Sequence, residues 1–410
     1  MSGQIPSGSP SFELPDLPSE VWLKVLREAT WLPDVHFHES QPLGYIDQFD
    51  SIESLIKKQR VNLRSTASII RVCARWKTWA TPFLYESILI DKECPLISLK
   101  KTLSDSVAEA KNSPGRSPLG RLTTRLDLAV PGETVLGSEL SDEWTLITSI
   151  ISFLPSLQIV AISDDQGHSV IPQKALLMLL ARSGKSLRVF TQGPGIFIRQ
   201  DTLTGLLLHA TQLKVLKLGH CVKIPLWLVD DIDLPNLVEL DCPHEGITSR
   251  AFRLPPDSLR SLVIEDLYSA TFMQNHCSSL TRLCLSYQAV RNDSFTIVVR
   301  SFAELCPNLR WLHLRFSDLF QYPSDFYIQK SVTLLEISTE SNQATPQIYS
   351  DFITRIVQTK ADGLKILRFP NPQNIKSMQK NCAKLLRGLL YHFDAKGIRV
   401  EDAEERLVKP

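Results

Sequence analysis

The longest uninterrupted apolar run in this 410-residue sequence, Ala175 to Ala181, falls far short of the roughly 20 residues that a membrane-spanning helix needs. The opening MSGQIPSGSP has no cationic stretch followed by an apolar one, so no secretory leader is expected. Charge of one sign is not in excess, since 45 Lys and Arg face 44 Asp and Glu. There is no global basic field to draw a nucleic acid or an anionic membrane, and neither is expected as a partner. The eight cysteines contain no C-x-x-C pair and are too sparse for a disulfide framework, which predicts reduced thiols serving mostly as core fillers. These absences predict a soluble chain of the cytoplasm or nucleus.

The signatures of catalysis are missing as well. RSGKS (Arg182 to Ser186) lacks the first glycine of a phosphate loop, with Leu179 in its place, and has its helix before and its strand after, the reverse of the required order. No G-x-S-x-G elbow and no H-E-x-x-H helix occurs. His36, His38 and Glu39, His220 with Cys221, Cys242 with His244, and His276 with Cys277 could each give part of a zinc shell, but no second pair stands at finger-like spacing. The acidic clusters at Ser163 to Asp165 and Val229 to Asp233 suit solvated turns better than a general acid and base. We therefore expect no enzyme, no metal and no cofactor.

One pattern returns throughout the rest of the chain. LQIVAI, LRVFTQ, LKVLKL, LVELDC, LRSLVI, LTRLCL, LRWLHL, VTLLEI and LKILRF begin at Leu157, Leu187, Leu213, Leu237, Leu259, Leu280, Leu309, Val332 and Leu364. They recur every 21 to 32 residues and match the L-x-x-L-x-L strand of a leucine-rich repeat. LPSL, LPNL and CPNL stand just before three of them, where proline stops a helix and turns the chain. TLITSIISFL, KALLMLLARS, TLTGLLLHAT and TIVVRSFAEL read as helices between strands. Each unit has an apolar face that only its neighbours can cover. The expected fold is an α/β solenoid, a horseshoe with parallel strands inside and helices outside. Gln192, where a third apolar residue is due, and the partial match RLDL at Arg125 to Leu128 mark expected distortions.

Upstream, LPSEVWLKVLREATW (Leu17 to Trp31) opens with a proline suited to a helix start and places Val21, Trp22, Val25, Leu26 and Ala29 on one stripe. In IIRVCARWKTWATPFLYESI, Ile69, Val72, Cys73, Trp76, Ala80 and Phe83 recur at steps of three and four, which predicts one short helix. Leu32 to Arg60 between them is mixed and polar, and reads as a long, partly mobile insertion.

LPSEVWLKVL followed by SIIRVCARWKTWA resembles the F-box, whose hallmark is L-P-x-E-[IVL] and then V-C-x-x-W. Leu17, Pro18, Glu20, Val21, Val72, Cys73 and Trp76 match it position by position. Over essentially its whole length the chain resembles the F-box proteins with irregular leucine repeats found in mushroom-type (basidiomycete) fungi. It departs from the family in separating the two halves by about 40 residues rather than a few, though a longer flexible loop adds closure entropy only logarithmically.

The resemblance implies a non-catalytic substrate receptor of an SCF-type cullin ubiquitin ligase. Leu17, Pro18, Val21, Trp22, Val25, Leu26, Val72, Cys73 and Trp76 would meet the Skp adaptor. The sequence alone leaves open how Cys73, Trp76 and Trp79 divide between module core and docking surface. A target protein would meet concave strand positions such as Lys217, Asp241, Glu265, Trp311, His313 and Arg315, with Trp311 as an exposed anchor. The alternative is a scaffold or regulator whose F-box-like helices only cap the solenoid. The expected organisation is a disordered start (1–13), an F-box-like module (14–90) with its insertion at about 32–64, a linker helix and loop (91–121), the solenoid (122–374) and a helical cap (375–410) on which Ile375, Met378, Cys382, Leu385, Leu386, Leu389 and Phe393 share one face.

Overall fold

The computed structural model describes residues 18–30, 52–113, 115–129, 141–163, 169–193, 196–219, 232–242, 252–253, 257–264, 276–286, 305–323, 326–339 and 345–409. Each of the nine repeat anchors lies two residues before a strand, from Leu157 ahead of Ile159–Ser163 to Leu364 ahead of Ile366–Arg368. These strands join a 12-stranded sheet whose order follows the chain and whose neighbours are all parallel. Three strands of this sheet lie outside the nine repeats: β1 (Ser87–Asp91), β2 (Arg125–Ala129) and, at the far edge, Arg399–Glu401. The partial match RLDL is thus a full member of the sheet. The sheet also starts inside the segment assigned to the N-terminal module and ends inside the segment assigned to the cap.

The register explains the repeat. Leu126, Val160, Phe190, Leu216, Leu240, Leu262, Leu283, Leu312, Leu335 and Leu367 are aligned across successive strands and all are buried. Fully burying each side chain is worth about 1.5–3 kcal/mol, and each is covered by the units before and after it. Helices form the second layer: α4 (Leu96–Asn112) packs on α5 (Asp142–Ile151), α5 on α6 (Gln173–Ser183), and α6 on α7 (Gln200–His209). Parallel strands repeat about every 4.8 Å whereas helices pack about 8–10 Å apart, so a strand-plus-helix unit must curve with the sheet on the inside. The segment TIVVRSFAEL lies almost wholly outside the described residues.

At the expected distortion, Gln192 is buried and its Nε2 donates to the Ile196 carbonyl at 2.6 Å, where a short parallel pair (Ser169–Val170 with Ile196–Phe197) forms. A polar side chain in register with Ile162, where an apolar one is due, is therefore partly satisfied by local backbone.

Three expectations need correction. The stretch Ile69 to Ile88 is not one helix: α2 (Ile52–Ile69) ends in a turn, Cys73 caps α3 (Ala74–Glu86), and β1 follows. Cys73 has extended backbone and its Sγ accepts the Trp76 N–H at 3.4 Å, so it opens a helix rather than continuing one. Secondly, α2 occupies the C-terminal part of the expected insertion, and residues 32–51 lie outside the described residues. Its inward positions Gln59 and Thr66 are polar, 2% and 1% exposed, which hid the helical stripe. Thirdly, the C-terminal cap is two helices, Pro372–Asn381 and Ala383–Ala395, meeting at Cys382, and Leu385 faces outward at 41% exposure.

Candidate functional site

The N-terminal module is built by three helices on the edge of the sheet. The Pro18 carbonyl accepts the first helical N–H groups of α1 (Ser19–Thr30), and Trp22 meets Trp76 with ring centroids 5.6 Å apart. Leu26 (1% exposed) and Ala80 (0%) complete the inner packing. Arg27 on α1 makes a two-pronged bond to Glu86 at the end of α3, with Nη2 donating to Oε1 at 2.9 Å, and its guanidinium lies over Phe83. At the sheet edge, Gln59 Nε2 donates to Ser87 Oγ at 2.6 Å and Arg60 pairs with Asp91 at 2.7 Å. These bonds hold α2 against β1.

This packing divides the expected adaptor-facing residues. Leu26 is core, while Trp22, Cys73 and Trp76 are half-buried. Val21, Val25 and Val72 are 41%, 47% and 57% exposed, and Pro18 is exposed with them. The single stripe expected on α1 is thus two sides, with Trp22, Leu26 and Thr30 turned in and Val21 and Val25 turned out. The Trp22–Trp76 contact sets α1 against the start of α3. Leu17 lies outside the described residues.

On the concave face, Lys217, His313 and Trp311 of the expected target-facing set are taken up by neighbouring side chains. Lys217 Nζ pairs with Glu239 at 2.7 Å, both nearly buried. Burial opposes the lysine charge, but Glu239 and Asp241 more than offset it and hold the group above its ordinary value. Arg315, four strands along the sheet, also acts on Lys217, as expected where curvature converges concave side chains. His313 is 2% exposed with Nε2 2.8 Å from Ser338 Oγ. Glu336 lies 3.8 Å from its Nδ1, but that carboxylate also accepts from Arg368. Burial and the Arg315 charge push the imidazole well below 6.5, so it is neutral at pH 7.

Trp311 is half-buried under the Arg282 guanidinium, 4.4 Å from the ring centroid, so it is a stacked partner rather than an exposed anchor. Asp241 and Arg315 retain partial exposure, and Glu265 lies outside the described residues. Two features escaped sequence reasoning. Arg125 and Asp127 form a buried two-pronged pair at 2.7 and 3.0 Å within one strand. Arg368 bonds to Glu336 at 3.2 Å, Glu401 at 2.9 Å and Glu405 at 3.1 Å, tying together the last three strands. The signal available was opposite charge two residues apart in RLDL for the first and, for the second, opposite charge at adjacent register positions once the repeats were aligned.

Among the described residues, no three His, Cys, Asp or Glu side chains come together as a metal site. His36, His38, His220, Cys221 and His244 lie outside them. No helix among them is long and apolar enough to cross a membrane.

No protein-family model matches the chain, and no curated protein does either. Among solved structures, the chain is similar to one described as the crystal structure of a Rad7 and Elc1 complex in yeast. That match has 12% identity and a TM-score of 0.31, and spans 81% of this chain and 94% of that one. Nothing is carried across from so distant a likeness.

Proposed function

We propose that this chain is a substrate-receptor subunit of an SCF-type cullin ubiquitin ligase, with the N-terminal helices docking the Skp adaptor and the repeat sheet presenting a target protein in the cytoplasm or nucleus. The observation that carries the proposal is the second apolar side of α1. With Leu26 and Trp22 already engaged against α3, Val21 and Val25 remain 41% and 47% exposed. Apolar groups left open on a helix whose inner face is filled suit a partner interface. Such a subunit supplies geometry, raising the effective concentration of a target lysine near the conjugating enzyme.

A scaffold in which the helices only cap the solenoid draws on a different observation, the fixing of α2 to β1 through Gln59 and Arg60. Binding to purified Skp adaptor separates the two readings. Val21→Asp with Val25→Asp leaves the fold intact, because exposed positions away from special features change stability by only about 0.5 kcal/mol. The double variant is expected to weaken adaptor binding about tenfold or more. A well-folded parent chain that does not bind the adaptor, or a variant that binds it equally, refutes the receptor reading.

A further inference from the structure

We propose that the open edge of β1, framed by α2 and α4, is a groove that takes an extended peptide segment of a partner protein as one further strand of the sheet. This proposal is independent of the ligase reading and concerns a different surface from the outward valines of α1.

The two edges of the sheet are treated differently. Beyond Arg399–Glu401 the chain folds back on itself: the Val408 N–H donates to the Val400 carbonyl at 2.9 Å and Leu407 pairs antiparallel with Glu401. At the other end, among the described residues, β1 has β2 as its one neighbour in the sheet. The Glu86 carbonyl accepts from the Thr124 N–H at 2.9 Å, which fixes which backbone groups face β2. By the alternation of a parallel ladder, Ile88 and Ile90 direct their N–H and C=O groups to β2, and Leu89 directs its own to the open side. Among the described residues, no hydrogen bond outside the β1–β2 ladder takes up those Leu89 groups. Leu89 is 8% exposed, on the floor of a cleft, and offers one donor and one acceptor that no described residue takes up, which matches a second extended backbone.

The space alongside is a cleft of about 560 Å³, within the range of roughly 300–1,000 Å³ typical of ligand clefts. Leu63 and Ala67 of α2 line one wall and Leu99 of α4 the other, with Leu84 near the end of α3 closing it. Successive side chains of an inserted strand point to opposite faces, so the segment that fits is apolar on both sides at its centre. Charge at the mouth is balanced. Arg64 on α2 and Glu93 after β1 are 76% and 68% exposed and face each other across 4.0 Å, a weak pair that a peptide's own charges can replace. The favoured occupant is therefore a short β-branched segment with one basic and one acidic flank and no net charge.

The test uses the full chain and a fluorescein-labelled probe, Lys-Val-Thr-Val-Ile-Val-Glu, capped at both ends, with a companion peptide methylated on alternate backbone nitrogens. Saturable binding by fluorescence polarisation and slowed amide exchange at Leu89 are expected. The companion should bind about tenfold more weakly or worse, as expected for lost backbone hydrogen bonds. Ser98→Arg, an exposed change on the groove wall, should weaken binding similarly while thermal unfolding stays unchanged. Absence of saturable binding, equal binding of the methylated peptide, or full affinity in Ser98→Arg overturns the proposal. So does sedimentation showing that the parent chain self-associates and Ser98→Arg does not, which would assign the groove to a second copy.

Discussion

Replacing Arg368 tests whether the charges on the concave face hold the end of the solenoid together. Its guanidinium bonds to Glu336 at 3.2 Å and Glu401 at 2.9 Å, and its side chain is only 12% exposed. Arg368→Met leaves two carboxylates, with side chains 4% and 5% exposed, without this partner. Breaking a buried pair from one side costs about 3–5 kcal/mol, and the residual exposure of the arginine favours the lower end, about 3 kcal/mol. Repeat stability is a sum of units and their interfaces, so the loss should be local to the last strands. Urea unfolding followed by circular dichroism should show an earlier transition, and amide exchange should accelerate in Leu334–Thr339 and Arg399–Glu401 before it does in β2. Adding Glu336→Gln and Glu401→Gln should recover most of the loss, because neutral amides cost less to leave buried. A single variant within about 0.5 kcal/mol of the parent, or no recovery in the triple variant, would refute this account.

Three further outcomes are expected. A Cβ on Gly363 would stand 1.8 Å from the Lys330 carbonyl oxygen, so Gly363→Ala should cost about 2–4 kcal/mol and lower the melting temperature; an unchanged Tm would show that the loop gives way freely. His313 titrates well below 6.5 when folded, so below pH 6.5 the unfolded chain binds the extra proton. Its contribution is fully present above that pH and declines as pH falls, by up to about 1.4 kcal/mol per unit, and the urea midpoint of His313→Gln should vary less between pH 7.5 and about 5.5 than that of the parent. Burial, aided by Asp91, pushes the Cys94 thiol up to about 11, so its alkylation by iodoacetamide at pH 8 should be slower than that of an unstructured cysteine thiol; equal rates would contradict the packing around it.

The solenoid was legible because its signal is redundant. One leucine column repeats across ten strands, and no single irregular unit can erase it. The elements that sequence reading missed or misdrew lie where that redundancy ends. The inward face of α2 is Gln59 and Thr66, so no apolar stripe announced a helix packed on the sheet. Val72 and Trp76 belong to a turn and a new helix, yet their spacing imitates one helical face, because a cysteine can cap a helix as well as sit within it. Leu385 fitted the cap's periodicity but falls outward after the break at Cys382. Periodicity reports which residues are apolar at regular intervals, and a cap with an uncommon residue type leaves it unbroken.

The concave face shows the same boundary from the side of function. Sequence alternation places Lys217, Asp241, His313 and Glu336 on the inner surface, and the register puts Lys217 beside Asp241 and His313 beside Glu336. Alternation is silent on neighbours, and the neighbours decide availability. Lys217 is held by Glu239, His313 is buried and neutral, and Trp311 lies under Arg282. Charges paired across strands fix the stacking of successive repeats, since a slip would leave each one buried without its partner. They are poorly placed to recognise a target, because a ligand competing for them must first break a desolvated pair. Asp241 and Arg315 retain partial exposure, whereas the outward valines of α1 are reached without breaking an internal pair.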